Sequence, residues 1–219
     1  MNRRLALTLT ILMLLLALAS VSQAATTMYN DRASWEAAVV TWADVDLSPY
    51  AEFSTLTSVA LPALALPATT LSFDVTQTVL QVGSSWGSWS GGTPRVLYSG
   101  IDSVNGSFDA ALMGFGMKME PNVFDEFEMT LNLVGGGSLT QTVDGSGGAA
   151  FFGFLSDTGV TGWTASAPAA AGSFAIGDMV VAGPGEDHNG SPELSTWMLL
   201  SCSGLTGLVG LVLRRRRTA

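Results

Sequence analysis

Residues Glu126 to Val134 read EFEMTLNLV, placing Phe127, Met129, Leu131 and Leu133 on one side of an extended chain. Glu126, Glu128, Thr130 and Asn132 fall on the other side. A period of two without a break predicts a strand with one wet face. Ala111 to Met119 alternates in the same way, with Met113, Phe115, Met117 and Met119 against Leu112, Gly114, Gly116 and Lys118. Leu71-Phe73-Val75 against Ser72-Asp74-Thr76 makes a third strand. Shorter candidates are Val79 to Val82, Arg95 to Tyr98, Leu139 to Val143, Ala149 to Leu155, Thr161 to Thr164 and Ser173 to Val181. GGGS (135–138), DGSGG (144–148) and SDTG (156–159) have turn compositions, and the first predicts a hairpin.

The period changes once. DRASWEAAVVTW sets Trp35, Ala38, Val39 and Trp42 at three- and four-residue spacings, with Asn30 or Asp31 able to cap, and predicts a helix packed across an open edge. DVDL (44–47) follows as a short strand. Two prolines inside TLTSVALPALALPATT (55–70) argue for a loop or edge segment. Many short strands punctuated by glycine predict an all-β fold, an antiparallel sandwich with one short N-terminal helix, over residues 25–182.

The two ends follow another logic. Arg3 and Arg4, an apolar run from Leu5 to Ala19, and Ser22-Gln23-Ala24 make residues 1–24 an expected signal peptide, cleaved between Ala24 and Ala25. At the other end Trp197 to Leu213 carries no formal charge. As a helix rising ~1.5 Å per residue it spans roughly 25 Å, at the low end of what crosses a bilayer. Arg214, Arg215, Arg216 and Arg217 follow and act as a stop-transfer cluster on the cytoplasmic side. The competing reading is a helix buried in a globular domain. Together the ends predict export through the Sec machinery and retention by a C-terminal transmembrane helix, with residues 183–191 as a charged tether.

Pro192-Glu193, the Ser195-Thr196 pair, an apolar helix and a terminal arginine cluster occur in that order over residues 192–219, and this order resembles the PEP-CTERM sorting signal. The resemblance implies an exported protein of a Gram-negative bacterium that makes extracellular polysaccharide. It also implies cleavage near Pro192 to Thr196 by a membrane transpeptidase, an exosortase. Leu194 stands where that signal has its second proline. Ser191 as N-cap, Pro192 in the first turn and Glu193 against the dipole equally describe a helix start. YNDRASWEAAV, and FFGFLSDTGVTGWTA with SFAIGDMVVAG, are similar to the opening and closing segments of domains that precede such tails. That similarity implies a jelly-roll sandwich.

Charge narrows the partners. Between Ala25 and Ser191 stand three basic residues (Arg32, Arg95, Lys118) and seventeen acidic ones, a balance of −14 against −9 for the chain. Such a surface repels nucleic acid and makes calcium the one cofactor worth seeking. Asp102, Ser103 and Asn105 in IDSVNGS and Asp144 and Ser146 in DGSGG are candidate ligands, with Asp157 and Asp178 as outliers. None has EF-hand spacing, and Asx turns explain the same residues. The single histidine, His188, and single cysteine, Cys202, lie outside the β-rich stretch, which removes nucleophile–histidine triads from it. Glu126 and Glu128 are spaced like glycosidase carboxylates but share a wet face. Trp86 and Trp89 in GSSWGSWSGG offer glycan stacking, or cover for the end of the sandwich. The expected function is a non-enzymatic surface or matrix protein sorted by its tail, with a carbohydrate-binding module, or a simply C-terminally anchored protein without tail processing, as the alternatives.

Overall fold

The computed structural model describes residues 25–64 and 69–183. Ala24, the tether beyond Gly183, Pro192 to Thr196, the 197–213 span and Arg214 to Arg217 lie outside the described residues, as do His188 and Cys202. No helix among the described residues is long and apolar enough to cross a membrane.

The described chain is mostly β-strand. It runs β1 (Thr26–Tyr29), α1 (Arg32–Ala37), β2 (Trp42–Asp44), β3 (Thr55–Ala60), β4 (Thr70–Gln81), β5 (Arg95–Tyr98) and β6 (Ser103–Pro121). Then come β7 (Glu126–Leu133), β8 (Ser138–Asp144), β9 (Ala150–Ser166), a 3-10 turn (Ala169–Ala171) and β10 (Phe174–Ala182). All strand pairs are antiparallel. Four strands close a ring: β6 pairs β10, β10 pairs β5, β5 pairs β4, and β4 returns to β6. Two long strands make the closure. β4 gives Leu71–Phe73 to β6 and Thr78–Gln81 to β5, while β6 pairs β4 near its start and β10 near its end.

The alternating stretches form strands with the expected faces, except at the start of Ala111–Met119, where a register shift between Leu112 and Gly114 puts Leu112 rather than Met113 in the core with Phe115. In β7, Met129, Leu131 and Leu133 are buried while Glu126, Glu128 and Asn132 are exposed. GGGS closes the β7–β8 hairpin, and Gly135, Gly136 and Gly137 take φ of +96°, +115° and +106°, open to glycine and costly for other residues.

Four expectations are corrected. The helix ends at Ala37 rather than reaching Trp42, because the β-branched Val39, Val40 and Thr41 resist helix and β10 offers a free edge that Trp42–Asp44 join. The DVDL strand accordingly begins two residues early, with Val45 N–H continuing the ladder to the Met179 carbonyl at 2.8 Å. The two pieces read over 71–82 are one strand, whose register with β3 shifts between Ser72 and Gln77 and whose buried Gln77 interrupts the apolar pattern. SDTG is not a turn between strands but lies within β9: Thr26 to Tyr29 pair with Ser156 to Gly153, Asp157 N–H binds the Ala25 carbonyl, and pairing to β6 resumes at Val160 opposite Leu112. Thr55–Ala60 pairs β4 as an edge strand.

The main core gathers residues from β3 through β10, including Leu71, Phe115, Met117, Phe152 and Trp163. A second cluster lies on the opposite face of β6, β9 and β10, where Trp35 of α1 meets Phe151, Val180 and Ala182. Asp31 caps α1 by accepting from Ser34 N–H at 2.8 Å. This fixes Trp35, whose indole donates to the Phe154 carbonyl at 2.9 Å and meets the Phe151 ring edge-on.

Candidate functional site

The Gly/Ser loop between β4 and β5 starts with a tight turn in which Ser84, Ser85 and Trp86 N–H groups all reach the Gln81 carbonyl. Both its tryptophans fold inward over Leu80, Val82, Val96 and Ala175. Trp86 and Trp89 are 6% and 8% exposed, which fits the covering role of their two readings and not the stacking one. Trp86 packs on Tyr98 with ring centroids 5.6 Å apart. The loop's serines tie it down: Ser88 Oγ donates to Glu120 at 2.6 Å and Ser90 Oγ to the Ala149 carbonyl at 2.5 Å.

Glu120 is wholly buried beneath this loop. One carboxyl oxygen accepts from Ser88 and, at 3.2 Å, from Gly147 N–H, while Oε2 has no partner among the described residues. Burial pushes its pKa above the usual carboxylate range, with hydrogen bonds from Ser88 and Gly147 opposing the rise and Asp144 adding to it.

Beside the loop lies an open groove of about 740 Å3, walled by β2, the 45–48 segment, the end of β4, residues 91–95 and β10. It is lined by Arg32, Arg95 and Lys118, every basic residue between Ala25 and Ser191. Each has an anionic or carbonyl companion. Arg32 holds Glu36 and Asp44 at 2.6 Å each. Lys118 Nζ lies 3.0 Å from Asp178 and donates to the Ser90 carbonyl at 2.7 Å. Arg95 donates to the Ser48 carbonyl at 2.5 Å. The neighbouring Asp46 carboxyl is held below its usual pKa by Ser48, with Arg95 assisting.

A bulge aims one of these carboxylates. The β10–β6 register shifts between Gly177 and Val180, and Asp178 sits there at φ +43°, a left-handed conformation that Asp adopts more readily than most residues. Its carboxylate thereby meets both Lys118 and the Trp89 indole N–H, at 2.9 Å from the latter. Trp42, moved from helix to strand, is 39% exposed, with the Arg32 guanidinium 5.2 Å from its ring centre. Sequence reasoning missed this site because its parts come from α1, β2, β5, β6 and β10. The one signal available was the scarcity of cations.

The calcium candidates do not assemble. No group of three or more His, Cys, Asp or Glu suited to a metal occurs among the described residues. Asp144 accepts from Ser146 N–H at 2.8 Å as an Asx turn, and Asn105 of β6 links Asp74 of β4 to Thr164 of β9. Asp102 sits in the turn before β6, where its carbonyl accepts from Ala167 N–H at 2.9 Å. Asp157 N–H binds the carbonyl of Ala25, the first residue described. Glu126 and Glu128 stand exposed on β7 opposite Asp144 and Thr142 of β8. Comparison of the chain with family models, with curated proteins and with solved structures gives no match.

Proposed function

We propose that this chain is a non-enzymatic exported protein of the cell surface or extracellular matrix, sorted by its C-terminal PEP-CTERM-like signal. The observation that carries the reading is the order of motif, apolar stretch and arginine cluster over residues 192–219. It follows a β-rich fold whose last described strand ends at Ala182. The partners on this reading are the Sec machinery, an exosortase-type transpeptidase and, before processing, the membrane. The purely antiparallel pairing and the core between opposed strands support a jelly-roll-like sandwich for residues 25–182. Neither His188 nor Cys202 belongs to that stretch, which favours binding or display over nucleophilic chemistry.

The test is mass analysis of both termini of the mature protein together with cell fractionation. The expected product begins at Ala25, ends near Pro192 to Thr196, and is found at the surface or in the medium. A product ending at Ala219 in the membrane fraction means anchoring without processing. Full-length chain in the cytosol overturns the proposal. A second reading, a carbohydrate-binding module delivered by the same route, is favoured by the polar groove with exposed Trp42 beside it.

A further inference from the structure

We infer that the groove beside Trp42 binds a neutral, hydroxyl-rich saccharide segment, an inference resting on the carbohydrate-binding form of the proposed function. The charge arrangement selects the ligand. Three cations gathered from the whole β-rich stretch would ordinarily mark an anion site. Here Glu36 and Asp44 flank Arg32, Asp178 faces Lys118, and Asp46 lies near Arg95, so the groove carries no positive excess. The surrounding field of a −14 stretch further repels an anionic polymer. A free cation fares no better, because Asp44 and Asp178 already face guanidinium and ammonium groups and Asp46 accepts from Ser48 N–H.

What remains is a surface of adjacent fixed donors and acceptors. The ion pairs occupy two of the five N–H groups of Arg32, and the Ser48 carbonyl takes one of Arg95's. Asp44 and Asp178 retain lone pairs beyond their cationic partners, since each carboxylate has about four acceptor sites. Vicinal hydroxyls, each both donor and acceptor, match such a row at little electrostatic cost. Trp42 supplies the other half of sugar recognition: a partly open ring, steadied by Arg32, for the apolar face of a pyranose. The volume falls within the range of small-ligand sites, roughly 300–1,000 Å3. The Asp178 bulge is the built feature, because a regular strand there would point its side chains elsewhere.

The test uses the full chain in a detergent without a sugar headgroup, run through affinity gels cast with a soluble β-glucan, a mannan, a galactan or a uronate polymer. Retardation by at least one neutral polymer is expected, with little change between about 0.05 and 0.5 M NaCl. Trp42→Ala and Arg95→Met should each weaken it about tenfold, roughly the worth of one hydrogen bond to a charged group. Arg95 lines the groove and the partly exposed Trp42 adjoins it through Arg32, and an unchanged melting curve separates lost binding from lost fold. Glu128→Gln, outside the groove, should bind as the unaltered chain does. The inference is overturned by no neutral polymer being retained, by retention of the uronate polymer alone with steep loss in salt, or by neutral binding that both substitutions leave intact. An exported chain that retains no glycan removes only this inference, whereas a cytosolic chain that binds glycan removes only the sorting proposal.

Discussion

Strand β6 is two different strands joined end to end. From Ser103 to Phe108 it alternates strictly, with Val104, Gly106 and Phe108 buried and Ser103, Asn105 and Ser107 exposed. From Gly114 to Pro121 both faces are covered and only Lys118 remains partly open. The inner face carries Phe115, Met117 and Met119. The outer face differs because Gly114 and Gly116 leave hollows filled by Leu155 with Ala182 and by the Phe151 ring, over which Trp35 of α1 closes. Glycine here is a receptor for a neighbour's side chain rather than a flexible joint.

If that contrast is right, the dry end should fail first under substitution. Trp35→Ala removes the lid and its bond to Phe154, and is expected to cost about 3–5 kcal/mol in chemical denaturation. Gly116→Ala places a methyl group inside the Phe151 ring and should cost about 1–3 kcal/mol. Ser107→Ala, at the wet end of the same strand, should change stability by no more than ~0.5 kcal/mol. Equal losses at Gly116 and Ser107 would dissolve the distinction.

Glu120 sharpens the comparison by pH, with an effect expected to lie below those of Trp35 and Gly116. Its pKa is raised in the folded state, so over the interval between the unfolded and folded values the native protein holds a proton the unfolded chain has released. Stability from this group is therefore complete below the unfolded pKa and declines as pH rises through the folded one. Glu120→Gln keeps an acceptor for Ser88 and has nothing to ionise. Melting temperature measured from acid to neutral pH should fall less for the variant than for the parent. Parallel curves would mean that the buried carboxyl does not titrate in this interval.

Legibility in the sequence followed the same division. Where one face is wet, as in β7 or the start of β6, polarity marks the register, and the strands and the GGGS hairpin are readable from composition. Where both faces are dry, glycine at 114 and 116 says nothing of what will cover it. Gln77 and SDTG broke the visible rhythm of strands that tertiary pairing nevertheless carries through. The groove was the least visible part. Arg32, Arg95 and Lys118 are far apart in the chain, Trp42 reads as a helical position, and the tryptophans that drew attention, Trp86 and Trp89, are interior.

The placement of β10 has a mechanical side. This last strand is hydrogen-bonded to β2 and β5 as well as to β6. A load arriving along the backbone past Ala182 therefore cannot peel one ladder at a time from an edge, and must shear opposed ladders together. Force applied to the chain beyond Ala182 would be shared among β2, β5 and β6 from the outset.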